Sequence, residues 1–185
     1  MSKEAQSRDR GTAKDRILDA AVVAFAESGY DGVGLREIAV AAGVNSRLIS
    51  HYFGSKEGLF RAVLDRVSDG PFLLTPEGAQ GFMTVDPPFD DLAGLLTMLR
   101  STSSRQAMAI IRGEVANRYE ADLAASLTGP DARGRAALIN AITVGIRLMR
   151  EVVGNEALKG EDAAAIVPYL DAIARILYDA PADKH

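Results

Sequence analysis

Residues 35–53 read LREIAVAAGVNSRLISHYF, and this stretch decides the fold. The residues before Gly43 are good helix formers, and a glycine lets the chain reverse without strain on a Cβ atom. Asn45 is a suitable N-cap for a second short helix over Ser46–Phe53. Two short helices joined by a tight glycine turn cross at a steep angle, so we predict a helix-turn-helix.

The second helix of this motif has one apolar side and one polar side. Val44, Ile49 and Phe53 are predicted to anchor it to the core, while the small residues Ala39 and Ala42 of the first helix allow it to cross closely. The outward positions are then Ser46, Arg47, Ser50 and His51.

Those outward residues lie in the part of such helices that meets base edges in a DNA groove. Arg47 can donate two hydrogen bonds to a guanine edge, and serine can pair with either base type. Tyr52 and Lys56 lie where the phosphate backbone would run. Lys56 also falls in the first turn of the next helix, whose free N–H groups favour an anion. The motif therefore predicts binding to double-stranded DNA.

The rest of the chain also shows helical periodicity, with no convincing strand alternation. Residues 12–28 form an amphipathic helix that Gly29 ends, and residues 56–68 form a fourth helix of the head. Residues 70–90 hold four of the seven prolines and predict a linker that includes about one helical turn. Later helices are predicted over 90–101, 104–127 with Gly113 as a candidate break, 131–153, and 161–179 with a kink or restart at Pro168. The fold class is all-α.

These patterns divide the chain into an arm and two domains. We predict a disordered N-terminal arm over 1–11, a DNA-binding head of three to four helices over 12–70, and a helical bundle domain over 71–185.

Composition excludes several kinds of site. The 185 residues contain no cysteine and two histidines, so thiolate zinc sites, disulfides and cysteine nucleophiles are excluded and a histidine metal site is not expected. No cofactor is predicted. Because there is no signal-peptide pattern and no apolar run of about 18 residues, we expect a cytoplasmic protein without a membrane partner.

The formal net charge of −4 is unevenly distributed. Residues 1–70 carry ten basic and ten acidic side chains, whereas residues 71–185 carry eleven basic and fifteen acidic ones. Within the head, residues 1–16 have five basic against three acidic residues, and residues 36–61 include Arg36, which we count among the DNA contacts. Small local excesses of basic over acidic residues suffice to neutralise a few phosphates.

Residues 12–70 resemble the DNA-binding head of the tetracycline-repressor (TetR/AcrR) family. The matching strings are ILDAA at 17–21, FAESGYD at 25–31, LREIA at 35–39, AGV at 42–44 and HYFGSKEGL at 51–59. The resemblance implies a homodimer that binds a palindromic operator, usually as a repressor, and a C-terminal domain that binds a small ligand and releases DNA. It also implies that Asn45, Ser46 and Arg47 start the recognition helix, that Ser50 is its central base-reading position, and that His51, Tyr52 and Lys56 contact the groove and phosphates.

Three positions depart from the family pattern. Gly34 stands where a serine or threonine often caps the first motif helix and touches phosphate, so that contact is absent. Ser50 stands where tyrosine is common, so the operator sequence does not follow from the resemblance. Gly58 replaces a glutamate that would complete a capping box with Ser55, which matters little because several relatives share the glycine.

The last two long helices are predicted to form the dimer interface that the resemblance implies. The helix over 131–153 is apolar on more than one side, so it must be covered on two sides. The predicted interface residues are Ala141, Gly145, Leu148, Val152, Ile166, Leu170, Ile173 and Leu177.

The middle helices carry a candidate effector pocket, although plain core is the favoured interpretation for any single apolar residue there. Its apolar and basic members are Leu95, Met98, Leu99, Met108, Ile111, Arg112, Val115 and Tyr119. Asn140, Thr143 and Arg147 are its candidate polar anchors, with surface or interface positions as the alternative.

Two other function classes compete with the DNA-binding regulator. An all-α enzyme or small-molecule binding protein with a vestigial helix-turn-helix would need catalytic residues, and the sequence has no nucleophile elbow, phosphate loop, dinucleotide fingerprint or paired-histidine motif. A purely structural dimerising bundle would leave the polar surface of the second motif helix unexplained. We therefore predict that the protein is not an enzyme.

Overall fold

The computed structural model describes residues 3–68, 74–86, 89–114 and 120–179. Every regular element in these ranges is helical, which confirms the predicted all-α class. The α-helices, in chain order, are α1 Lys3–Ser28, α2 Leu35–Ala41, α3 Ser46–Phe53, α4 Lys56–Ser68, α5 Ala79–Thr84, α6 Phe89–Arg100, α7 Arg105–Glu114, α8 Glu120–Ser126, α9 Ala132–Arg147 and α10 Gly160–Tyr178. A π-helical turn, Leu148–Val152, follows α9 directly, and a 3₁₀ turn covers Glu156–Leu158.

The chain forms two compact units. The first comprises Met1–Gly70 together with Phe89–Arg112, and the second comprises Pro71–Pro88 together with Gly113–His185. No helix in the described ranges is long and apolar enough to cross a membrane.

The core of the first unit is built around three aromatic rings. Phe60 meets Phe25 edge-on, with ring centroids 5.1 Å apart, and meets Tyr30 in the same way at 4.9 Å. Ile38 and Ile49 are fully buried, so both helices of the motif are anchored to this core. The predicted inward side of α3 is therefore confirmed at Ile49.

The first helix is longer than the sequence analysis predicted. It begins at Lys3 instead of residue 12, so the backbone of Lys3–Gly11 is helical, while the division of the chain into an arm and two domains stays a prediction. The physical reason is that residues 3–10 contain neither proline nor glycine and are rich in good helix formers, while a single glycine at position 11 costs only about 1 kcal/mol in a helix.

The compact units do not follow the chain order at residue 70, because α6 and the start of α7 pack with the head. The backbone N–H of Tyr30 donates to the Ser101 hydroxyl at 2.9 Å, and the Arg100 guanidinium donates to the Ala26 carbonyl at the end of α1. A Cβ on Gly94 would lie 2.8 Å from a methyl carbon of Val67, which shows how closely α6 approaches α4. The sequence predicts a helix in this region, but it does not predict which helices pack against it.

Gly29 illustrates this close packing and gives a stability prediction. Its φ is +68°, and a Cβ there would lie 2.3 Å from the Arg100 carbonyl oxygen. Gly43 has a similar φ of +63° with nothing within 4 Å of its Cβ position, so it is a matched control. We expect Gly43→Ala to cost about 1–2 kcal/mol for the left-handed backbone. Gly29→Ala should cost a further ~1–3 kcal/mol, because α1 and α6 must move apart.

Urea unfolding of both variants measures the difference. Equal losses of unfolding free energy in the two variants would show that the contact between Gly29 and Arg100 does not limit stability.

The second unit has two apolar clusters. One buries Leu74, Phe82 and Met83 against α10, where Ala163, Leu170 and Ala174 face them. The other packs α8 against α9 through the following residues: Leu123, Leu127, Ala136 and Ile139. The short α5 falls inside the predicted linker, and it is anchored in this unit by Phe82.

Buried arginines tie the ends of these helices together. The Arg150 guanidinium donates to the Phe82 carbonyl at 3.2 Å and to the Asp86 carboxylate at 3.1 Å. Arg135 donates to the Leu177 carbonyl at 2.8 Å, near the C-terminal end of α10. Guanidinium groups suit this task because they offer five donors in a fixed plane.

Two of the later helices differ from the prediction. The predicted helix over 104–127, with Gly113 as a candidate break, is described as α7 and α8, and residues 115–119 between them lie outside the described ranges. The predicted helix over 131–153 is α-helical to Arg147 and π-helical beyond it. Pro168 lies inside a single α10 and does not restart it.

The predicted dimer residues on α10 fall on two different sides of the helix. Leu170 is buried, and Ile166 and Leu177 pack against the two core clusters, so these three belong to the fold of one chain. The fourth predicted residue, Ile173, is exposed, together with two large apolar residues that were not predicted, Tyr169 and Ile176. On α9 and the π-helical turn, the predicted Ala141 and Val152 are exposed and Gly145 and Leu148 are half-buried.

Candidate nucleic-acid interface

The recognition surface is built on α3, and its geometry begins at the N-cap. The Asn45 side-chain oxygen accepts a hydrogen bond from the Arg47 backbone N–H at 2.9 Å. This bond satisfies one of the free donors at the start of the helix and fixes the direction in which the helix leaves the turn. Gly54, with φ +74°, ends the helix after Phe53.

The side chains of α3 divide as the sequence predicted. Ile49 is fully buried, whereas Arg47, Ser50 and His51 are exposed and Ser46 is half-buried. The exposed residues lie on consecutive turns of a helix only eight residues long, so one face of α3 is available to a ligand. Tyr52 is half-buried, and its ring meets that of His51 at 5.2 Å.

The first motif helix, α2, is capped without a side chain at Gly34. Instead, the Glu37 carboxylate accepts a hydrogen bond from the Gly34 backbone N–H at 2.6 Å. This is the glutamate half of a capping box, so α2 keeps a defined start although the serine or threonine is missing. Arg36, one residue earlier, is exposed.

Lys56 opens α4 beside the motif. Its ammonium nitrogen lies 4.6 Å from the centre of the Tyr30 ring, and its side chain is half-buried. Ser55 caps the helix by accepting a hydrogen bond from the Gly58 N–H at 3.2 Å. The predicted role of Ser55 as N-cap is therefore confirmed even with a glycine at position 58.

The structure adds Lys14 to the basic residues around α3. Its ammonium nitrogen lies 5.9 Å from the centre of the Phe53 ring, so α1 brings a positive charge to the end of the recognition helix. The sequence signal for this residue was the basic excess in residues 1–16, but periodicity alone did not reveal its position.

The predicted effector-pocket residues fall in both compact units. Leu95, Met98, Leu99, Met108, Ile111 and Arg112 lie in the first unit, whereas Asn140, Thr143 and Arg147 lie in the second. Val115 and Tyr119 lie outside the described residues. Thr143 accepts a hydrogen bond from the Leu74 N–H at 3.2 Å, and the Arg147 guanidinium lies 4.5 Å from the Phe82 ring centre, so both have roles in the packing of their own unit.

Two family models match this sequence. The model described as bacterial regulatory proteins of the tetR family matches residues 17–63, which include the whole helix-turn-helix. The model described as the tetracyclin repressor-like C-terminal domain matches residues 77–177, more than half of the chain. The chain belongs to the TetR family. This is a family of bacterial regulatory proteins, the class that the sequence predicted.

Curated relatives of this TetR-family protein match it over part of its length. The regulatory protein RaaS of Mycobacterium tuberculosis is 53% identical over 58 residues, which are 31% of this chain and 27% of that protein. The transcriptional repressor NicS of Pseudomonas putida is 44% identical over 63 residues, 34% of this chain and 29% of that protein. The matches thus span less than a third of each relative.

Solved structures of the family share the fold over most of the chain. GusR of Salmonella enterica superimposes with a TM-score of 0.63 at 19% identity, covering 91% of this chain and 96% of that one. A TetR-family regulator of Streptomyces coelicolor A3 gives a TM-score of 0.51 at 24% identity with the same coverage. At these identities the likeness concerns the fold alone.

Proposed function

We propose that this TetR-family protein is a ligand-responsive repressor that binds a palindromic operator as a homodimer. The observation that carries the proposal is the exposed face of α3, where Arg47, Ser50 and His51 are free of the core that buries Ile49. A helix presented in this way can enter the major groove with its N-terminal half against base edges.

The residues of this surface would divide into base readers and backbone contacts. Arg47 would donate two hydrogen bonds to a guanine edge, and Ser50 and His51 would make the remaining groove contacts. Tyr52, Lys56 and Arg36 would contact phosphates, which fix register and carry no sequence information directly. Asn45 and Ser46 stand at the helix start, and Asn45 acts through the position of Arg47 because its side-chain oxygen is occupied by the cap bond.

Dimerisation is supported by an apolar surface on α9, the π-helical turn and α10. Its large exposed members are Leu138, Val144, Met149, Val152, Val153, Tyr169, Ile173 and Ile176. The α9 and α10 helices contact each other, and exposed apolar residues grouped on adjoining helices mark an interaction site. Gly145 of α9 has nothing within 4 Å of its Cβ position, so its small size serves no contact within the described residues.

Effector binding would occur in the second unit and lower the affinity for DNA. The Nδ2 atom of Asn140 is buried and has no hydrogen-bond partner among the described residues. Leaving such a group unsatisfied costs about 1–3 kcal/mol, which a ligand acceptor atom would recover. We propose Asn140 as a polar anchor of the effector site.

Footprinting and fluorescence anisotropy on DNA upstream of the protein's own gene test the function. We expect one protected palindrome, two protomers per site, and binding at least about 10³-fold tighter than to scrambled DNA at physiological salt. Binding to both DNAs with equal affinity, or one protomer per site at saturation, would contradict the proposal.

A further inference from the structure

Lys56 is a flexible side chain that is held in place by an aromatic face. Its ammonium lies 4.6 Å from the Tyr30 ring centre, within the distance at which a cation is attracted to the negative face of the ring. Lys56 is also the first residue of α4, the end of the helix at which the helix dipole favours negative charge. An anion that approaches the start of α4 would meet both the ammonium and this dipole.

The Tyr30 ring is itself immobilised on several sides. It is only 2% exposed, it meets Phe60 edge-on at 4.9 Å, and it stacks with Phe25 at 6.1 Å. Its backbone N–H donates to the Ser101 hydroxyl at 2.9 Å. The face that Lys56 contacts therefore has a fixed position relative to the helix-turn-helix.

The Tyr30 hydroxyl is fixed as well, through Glu57. Burial, together with the neighbouring Glu57 carboxylate, raises the pKa of Tyr30 to about 12, so the phenol stays neutral. Hydrogen bonds, above all the one with Ser55, lower the pKa of the Glu57 carboxyl, which therefore stays ionised. Gln106 of α7 donates to the same carboxylate through its side-chain amide.

We infer that Tyr30 is a positioning residue for DNA binding, because its ring holds the Lys56 ammonium where a backbone phosphate is bound. The inference rests on the proposed phosphate contact of Lys56. An unrestrained lysine loses rotamer freedom when it engages a phosphate, and a side chain that already lies on a rigid ring has less to lose. The ring occupies one side of the ammonium, which leaves donors for phosphate oxygens.

A competing arrangement, in which the Tyr30 ring keeps Lys56 away from DNA, predicts the opposite change in operator affinity. If the ring withheld Lys56 from DNA, the side chain would have to leave Tyr30 on binding. Weakening the contact between Lys56 and Tyr30 would then increase the affinity for the operator.

The test uses the full chain with three changes at two positions. Tyr30→Phe keeps the ring and removes the hydroxyl, and replacing Tyr30 by pentafluorophenylalanine keeps nearly the same shape but reverses the charge of the ring face. Lys56→Met removes the ammonium. Operator affinity is measured against salt concentration for each variant, and thermal unfolding checks that each is folded.

We expect Tyr30→Phe to bind within about twofold of the unaltered protein. The fluorinated ring should weaken binding by about two- to fivefold per half-site, which is the range for an exposed cation–π contact. Lys56→Met should reduce the slope of log affinity against log salt by about 0.9 per half-site, and the fluorinated ring should have no further effect in that background.

Two results would overturn the inference in distinguishable ways. An unchanged salt slope in Lys56→Met would remove the phosphate contact itself, and with it the inference. If Lys56→Met lowers the salt slope as expected, the phosphate contact stands. The role of Tyr30 is then rejected if the fluorinated protein binds the operator as tightly as the unaltered protein or more tightly. It is also rejected if the fluorinated ring weakens binding equally with and without Lys56.

Discussion

Arg47→Ala is expected to weaken operator binding by about 1–3 kcal/mol at each half-site, and a dimer contains two of them. Arg47 is exposed on α3, and its backbone is fixed by the Asn45 cap bond. The substitution therefore removes a well-placed pair of hydrogen-bond donors without removing any buried contact. The thermal unfolding temperature should stay nearly the same.

The loss of affinity should depend on the DNA sequence. Because Arg47 is assigned to a base edge, its removal should relax discrimination at one guanine position in each half-site, while binding to scrambled DNA changes little. Competition assays with a set of single-base operator variants measure this. Arg105→Ala is the matched control, since Arg105 is an exposed arginine at the start of α7 in the same unit.

A uniform loss on operator and scrambled DNA would show that Arg47 contacts phosphate and not a base. In that case Ser50 and His51 would carry the base reading. A strong effect of Arg105→Ala would instead point to a general effect of positive charge, because that residue has no place on the α3 surface.

The helix-turn-helix was predictable because its signals are local. Gly43, with φ +63°, and the Asn45 cap bond determine the turn within a few residues, and Ile49 follows from the helical period. Such features need no knowledge of distant parts of the chain. The strings that resemble the TetR family reinforce the same residues.

The partner of α6 was not predictable, because it depends on contacts between residues far apart in sequence. The hydrogen bond from Tyr30 to Ser101 joins positions 71 residues apart. Hydrophobic periodicity shows which face of α6 is buried, but it does not say which helices bury it. Proline density near residue 70 therefore suggested a domain boundary that the packing of α6 does not respect.

The dimer surface was only partly predictable for a related reason. The α10 helix is apolar on two sides, and both sides recur with the same helical period. Leu170 and Ile173 are three residues apart, yet the first is buried and the second is exposed. Sequence alone does not say which apolar stripe faces the core of one chain and which is left for a partner.

Introducing charge on the exposed stripe of α10 is expected to abolish the dimer. Tyr169 and Ile176 are 72% and 66% exposed, so Tyr169→Glu combined with Ile176→Glu should leave the fold of each chain stable. Burying the two new carboxylates against a second copy would be strongly unfavourable. We expect a monomer by light scattering at micromolar concentration, and operator affinity about 10²–10⁴-fold lower, because the second half-site no longer binds as part of the same molecule.

Two matched variants show which side of α10 contacts the second copy. Ala125→Glu places a carboxylate at an exposed position of α8, off the apolar surface, and should leave the protein dimeric. Leu170→Ala truncates a buried side chain of the other stripe and should cost about 2–5 kcal/mol of stability while the folded fraction remains dimeric. If Leu170→Ala yielded a stable monomer and the charged pair stayed dimeric, the side of α10 that carries Ile166, Leu170 and Leu177 would be the interface. A monomeric charged pair together with a dimeric Leu170→Ala protein would show that one side of α10 packs in the core of its own chain and the other contacts the second copy. The dimer then carries two recognition helices, one for each half-site.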